Sequence, residues 1–98
     1  MRFEWDEAKN GRNLAKHRVS FETASLVFED PHMLVREDRV VEGEERWQAL
    51  GLIGGAVIVL VVYTYREENG EEVVRIISAR KAAGPERKAY EEGYEKTS

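Results

Sequence analysis

Ninety-eight residues with 42% hydrophobic and 35% charged side chains and a net charge of −4 describe one folded domain, residues 1–98, with a heavily charged surface; a chain this short buries roughly 60 to 65% of its unfolded area, enough for a single core. The absence of cysteine excludes disulfides, thiolate nucleophiles and cysteine-ligated zinc, and His17 and His32 stand in unrelated contexts, so no metal and no other cofactor is expected. Leu52 to Tyr65, the longest apolar run, falls short of the roughly 20 residues of a membrane span, and the N-terminus lacks a signal core, so the expectation is a cytoplasmic protein without a membrane partner.

Phe3 and Trp5 alternate with Arg2 and Glu4, the period of a short strand. Asp6 can then cap a helix running to about His17, whose thin apolar face is Ala8, Leu14 and Ala15. Ser20 caps a second helix, stapled by Val19 against Ala24, with Phe21, Ala24, Val27 and Phe28 on one face and Asp30-Pro31 as its end. A strand follows from Met33 to about Asp38, then a polar loop from Arg39 to Gly43. Two further strands, Glu45 to Ile53 and Ala56 to Arg66, meet at Gly54-Gly55. The run from Val57 to Val62 is apolar at every position, which places that strand centrally with both faces covered. Asn69-Gly70 turns the chain into Val73 to Arg80, and Gly84-Pro85 opens a last helix on which Ala83, Arg87, Tyr90 and Tyr94 share a face. The order β-α-α-β-β-β-β-α gives an α+β domain, an antiparallel sheet with two N-terminal helices and one C-terminal helix packed against it.

The acidic sum conceals two basic segments. Lys9 to Arg18 and Arg75 to Lys88 together carry about +8, leaving about −12 elsewhere. If they meet in space, they form a polyanion site on an acidic body; if they lie on opposite faces, they merely balance the acids. Arg80, beside Ser78 and Lys81, is the better candidate phosphate ligand, because a guanidinium grips two phosphate oxygens and stays charged throughout a reaction. Arg46 can join it. Regular alternation puts Arg75 and Arg80 on opposite faces of their strand unless a bulge turns Arg80 around. Each of these arginines could instead pair with a glutamate, and Tyr63, Tyr65 and Tyr90 could be packing residues.

Read in order, FEWDEAKNGRNLAKHRVSFETASLVFEDP (3–31), EERWQALG (44–51), VVYTYRE (61–67) and RIISARKAAGPERKAY (75–90) resemble the BrnT toxin family. The resemblance implies a RelE-like fold and a ribonuclease toxin of a type II toxin-antitoxin pair that cleaves RNA and inhibits translation and growth. Its implied partner is a BrnA-like ribbon-helix-helix antitoxin, which would carry the complex to operator DNA. The chain departs from the family at Arg18, where glycine usually follows Lys-His; arginine there implies another cap or backbone strain. Metal-independent cleavage by 2′-hydroxyl attack needs charge at the phosphate and help with proton transfer. The candidates are Arg46, Arg80 and Arg75 for the phosphate and His17 as proton carrier, although His17 also suits a helix end electrostatically. Lys9, Lys16, Ser78, Lys81, Arg87 and Tyr90 are the candidate RNA contacts. The alternative is a non-catalytic antitoxin-binding module acting as co-repressor; direct DNA binding is disfavoured by the acidic balance.

Overall fold

The computed structural model describes residues 1–97, with side chains up to residue 93, so the Tyr94 side chain lies outside the described residues. The elements in chain order are β1 (Arg2–Glu4), α1 (Glu7–His17), α2 (Phe21–Ala24) continued by a 3₁₀ turn (Ser25–Glu29), β2 (Leu34–Val41), β3 (Glu44–Ile53), β4 (Val57–Glu68), β5 (Glu71–Lys81) and α3 (Gly84–Thr97). They form one five-stranded sheet in the order β1-β5-β4-β3-β2. Neighbours are antiparallel except β1, which runs parallel to β5. The α+β order expected from the sequence is therefore the observed one, with that single parallel edge.

Both expected N-caps form: the Asp6 carboxylate accepts from the Lys9 N–H and the Ser20 hydroxyl from the Thr23 N–H. The second helix tightens into 3₁₀ geometry after Ala24 rather than continuing as an α-helix to Asp30. The segment expected as a polar loop, Arg39 to Gly43, is mostly strand: β2 runs to Val41 across an irregularity between Glu37 and Val40, and only Glu42 and Gly43 form the turn, both at positive φ. Glutamate is a poor sequence signal for such a turn, because the residues that usually adopt positive φ are glycine, asparagine and aspartate. Gly54-Gly55 turns as expected, but Ala56 belongs to the loop.

The two sheet faces differ. Odd-numbered β4 residues Val59, Val61 and Tyr63 pack with Phe21, Ala24, Val27, Ala49 and Ile76 beneath α1, α2 and the 3₁₀ turn. Even-numbered Leu60 packs with Leu50, Ala82 and Tyr90, so α3 covers one end of the opposite face. β4 is thus covered on both sides over Ile58 to Val61, as its unbroken apolar run requires. Gly51 lets the helical layer approach: a Cβ there would meet the Val27 side chain at 2.7 Å and its carbonyl oxygen at 2.9 Å.

The apolar face expected for α1 is not the buried one. Leu14 is 48% exposed and Ala8 and Ala15 are exposed, whereas Asn10 and Asn13 are buried. β1 pairs β5 only as far as Arg75, leaving the β5 edge beyond it without a strand partner. Asn13 takes the partner's place. Its amide accepts from the Ala79 N–H at 3.2 Å and donates to the Ala79 carbonyl at 2.7 Å and the Val19 carbonyl at 2.8 Å. Asn10 accepts from the Phe21 N–H and donates to Glu22. These amides satisfy backbone groups that would otherwise be buried without partners.

Arg18 ends α1 in the left-handed conformation, φ 62° and ψ 24°, with its N–H on the Leu14 carbonyl. It therefore keeps the glycine-type cap with a residue that pays a steric penalty there. Arg18→Gly is expected to stabilise the protein by up to about 1 kcal/mol, the gain being partly offset by the entropy of an unfolded glycine. Urea unfolding checks this: the midpoint should rise at unchanged slope.

Candidate functional site

The strand β5 is irregular where its candidate residues lie. Val62 faces Ser78 while Tyr63 faces Ile76, so Ile77 is an extra residue without a cross-strand partner. The consequence is visible in the register: Leu60, Val62 and Thr64 share a face of β4, and they pair with Arg80, Ser78 and Arg75. Arg75 and Arg80 thus share a face, against regular alternation and in the way a bulge permits. Gln48 opposite Val62, and Arg36 opposite Gln48, extend the row across the sheet. Arg46, two residues before Gln48, belongs to the same face. It lies two strands from Arg75, about 9–10 Å at ordinary strand spacing.

The arginines are held differently. Arg80 makes a two-pronged pair with Glu86, both contacts at 2.7 Å. Glu86 also accepts from the Ala83 N–H at 2.8 Å, closing the start of α3 as a capping-box glutamate does. Arg75 stands 3.7 Å from Glu4, whose main partner is Arg66 at 2.6 Å. The Nε of Arg46 is buried and has no hydrogen-bond partner, an arrangement that leaves a donor to be satisfied by something else. Arg36 donates to Gln48, which donates to Asp38, fixing the middle of the face.

A second basic element meets this face at the open edge of β5. Lys9, Arg12, Lys16 and His17 of α1 border a cavity of about 390 Å³ with Ile77 and Ser78. The two basic segments therefore do adjoin, with Ser78 at their junction. Lys81 opposes Val59 and so projects to the helical side. Arg87 donates to the Ala82 carbonyl at 3.1 Å. Tyr90 is buried, its hydroxyl donating to the Asp30 carboxylate at 2.5 Å. Both residues fasten α3 to the domain. Sequence reading missed Glu86 as the partner of Arg80 and the Arg36–Gln48–Asp38 chain; the only signal for the first was a glutamate at the capping position behind Gly84-Pro85. Among the described residues no three His, Asp or Glu side chains are grouped to hold a metal ion.

Two carboxylates tie α3 down, and both titrate low. The Arg80 guanidinium holds Glu86 below its ordinary value of 4.5, with burial opposing and the Ala83 N–H and the Arg36 charge assisting. Burial pushes Asp30 up, but hydrogen bonds from the Leu52 N–H, the Tyr90 hydroxyl and the His32 N–H outweigh it and leave it below 3.8. Groups depressed on folding stabilise the folded state above their unfolded values and lose that contribution as pH falls through the folded ones. Melting temperature should hold from neutral pH to about pH 5 and decline below about pH 4.5, and Glu86→Gln should flatten part of that decline.

Comparison with known proteins identifies the family. The family described as "Ribonuclease toxin, BrnT, of type II toxin-antitoxin system" matches residues 5–86. The crystal structure of the Brucella abortus ribonuclease toxin BrnT superposes with a TM-score of 0.59 at 25% identity, over 85% of this chain and 97% of that one. No curated protein matches by sequence. With the family match spanning most of its length, the chain belongs to the BrnT family of ribonuclease toxins of type II toxin-antitoxin systems.

Proposed function

We propose that the protein is a metal-independent endoribonuclease whose site is the open face carrying Arg75, Ser78 and Arg80 of β5 and Arg46 of β3. The observation that carries this reading is the bulge at Ile77, which brings the two β5 arginines onto one face around Ser78. The ribose 2′-oxygen attacks the adjacent phosphorus, the bond from phosphorus to the 5′-oxygen breaks, and the products are a 2′,3′-cyclic phosphate and a 5′-hydroxyl. Arg80 and Arg75 would hold phosphate oxygens from either side of Ser78, and charge on the pentavalent transition state would strengthen those contacts. Arg46 would add a further cation from across the sheet.

His17 borders the same edge cavity as Ser78, which makes it the candidate to carry a proton between the 2′-hydroxyl and the leaving oxygen. Lys9 and Lys16 would lead the flanking RNA backbone along that edge, while Lys81, Arg87 and Tyr90 are peripheral to it. The antitoxin that accompanies such a toxin would be a BrnA-like ribbon-helix-helix protein binding operator DNA for the complex. End-group analysis tests the chemistry. RNA incubated with purified protein in excess EDTA should yield cyclic phosphate and 5′-hydroxyl termini, and 5′-phosphate termini or a strict requirement for added divalent cation would contradict the mechanism.

A further inference from the structure

The sheet's odd-numbered face is not fully covered by the helical layer. Beyond Tyr63, which is buried against Phe28, the chain leaves large apolar side chains in the open: Val35 is 47% exposed, Tyr65 45% and Val40 64%. Trp47, half-buried beside Tyr63 in the register, completes the patch. Val35, Trp47, Tyr63 and Tyr65 line a cavity of about 440 Å³, the largest of the described cavities, with Glu44 and Glu45 at its border. A hollow floored by aromatic and aliphatic side chains is suited to docking another molecule.

The charge around it is acidic on balance. Glu37 lies opposite Trp47, Glu45 opposite Val40, and Glu67 opposite Glu72 on the strands that flank Tyr65. Partial burial first, and then the charges of Glu72 and Glu67, push the Tyr65 hydroxyl above its usual value. Arg66 and Arg75 also border the cavity, but both engage Glu4, and Arg66 engages Glu68 as well. Among the described residues none of Glu37, Glu44, Glu45, Glu67 and Glu72 has a salt-bridge partner. Such a rim repels a phosphodiester backbone and attracts a cationic peptide. The face is therefore unsuited to RNA.

We infer that this acid-rimmed aromatic hollow is the docking site of the antitoxin, and that the docking segment is basic and amphipathic, placing one or two large apolar side chains against Trp47 and Tyr65 and lysines or arginines against the glutamates. The inference rests on the toxin-antitoxin reading above; the hollow opens on the helical side of the sheet and meets the arginine face at Arg75, which borders it. Apolar anchors in the hollow supply affinity, and the acidic rim supplies rate and selectivity.

Binding measured by calorimetry between the protein and its purified cognate antitoxin decides the matter. The expected result is that Tyr65→Ala weakens binding at least tenfold, that the double variant Glu37→Lys, Glu45→Lys weakens it by a similar factor at low salt and less at high salt, and that both variants cut RNA within twofold of wild type. Both substitutions sit on exposed positions, and retained cleavage certifies the fold. Unchanged antitoxin affinity in both variants overturns the inference. So does a parallel loss of RNA cleavage, which would assign the hollow to RNA, or self-association of the free protein abolished by these variants, which would assign it to a second copy. A wild-type protein that binds no antitoxin contradicts the toxin-antitoxin reading itself and takes the inference with it.

Discussion

Arg80→Ala should lower RNA cleavage by about 10²- to 10³-fold, the loss typical of removing one charge-stabilising group from a transition state, and should relieve the growth arrest caused by expressing the protein without its antitoxin. Arg80 is the residue to remove because it combines three features: it lies on the open face, its side chain is oriented by Glu86 through two contacts of 2.7 Å, and it remains 41% exposed. Glu86 holds the guanidinium plane in place without burying it. Arg80→Lys is the sharper companion. It preserves the charge and a pairing with Glu86 but loses the planar fork, so a fall of tenfold or more would show that two-point phosphate contact matters rather than charge alone. Antitoxin affinity should be unchanged in both variants, and circular dichroism with thermal melting should show a folded domain that Arg80→Ala destabilises more than Arg80→Lys, since the Glu86 carboxylate left behind is 14% exposed and keeps only the Ala83 N–H. Full cleavage by a folded Arg80→Ala protein would move the site elsewhere.

The largest expected effect on stability comes from Asn13→Ala. Asn13 is 8% exposed, and its amide serves the Ala79 N–H, the Ala79 carbonyl and the Val19 carbonyl. Truncation strands those groups at a strand edge covered by a helix. At about 1 kcal/mol or more for each group left without a partner, the cost is about 3 kcal/mol, or a fall of about 12–24 °C in melting temperature for a domain of this size. Because Ala79 lies between Ser78 and Arg80, loosening it should also disturb the phosphate site. Cleavage measured well below the melting temperature should fall, while Arg18→Gly, at the far end of the same helix, should leave it intact. A melting temperature within a few degrees of wild type would mean that water or another side chain replaces the amide.

The sequence made the sheet legible because its strands announce themselves: the six apolar residues from Val57 to Val62 require cover on both faces, and Asn69-Gly70 turns the chain where a tight hairpin must. The capping residues Asp6 and Ser20 did the same for the helices. What stayed hidden was set by pairing between distant segments. Asn10 and Asn13 look like solvent-facing residues on a helix whose best apolar stripe is Leu14 with two alanines, yet they are the buried ones, because the unpaired edge of β5 needs hydrogen bonds more than methyl groups. The bulge at Ile77 stood only as an alternative to regular alternation, since nothing in RIISAR distinguishes five regular residues from four and an extra one. Alternation alone would have split the arginines. The family pattern identified the segment, and only the register with β4 shows how its side chains gather. Glu86 escaped notice for a related reason, being six residues from Arg80 with a strand end and a helix start between them.

The two sides of the sheet thus differ in kind. One carries arginines and Ser78, flanked at the β5 edge by the cations of α1; the other carries the helical core and, beyond it, an aromatic hollow ringed by acids. This division lets a chain with a net charge of −4 present cations along the proposed RNA path, where Glu4 and Glu86 pair with Arg75 and Arg80 rather than standing free. It also suits a toxin that must be both active when free and captured when its partner is present.

The most direct test of the proposed site is a nuclear magnetic resonance titration of the protein with a short RNA in which 2′-deoxy substitution blocks cleavage. The expected perturbations fall on the amides of Arg46, Gln48, Val62 and Ser78 to Arg80, extend to His17 and Lys16, and spare Val35, Trp47, Tyr65 and Glu67. Perturbations confined to the acid-rimmed hollow, or absent around Ser78 and Arg80, would contradict the account.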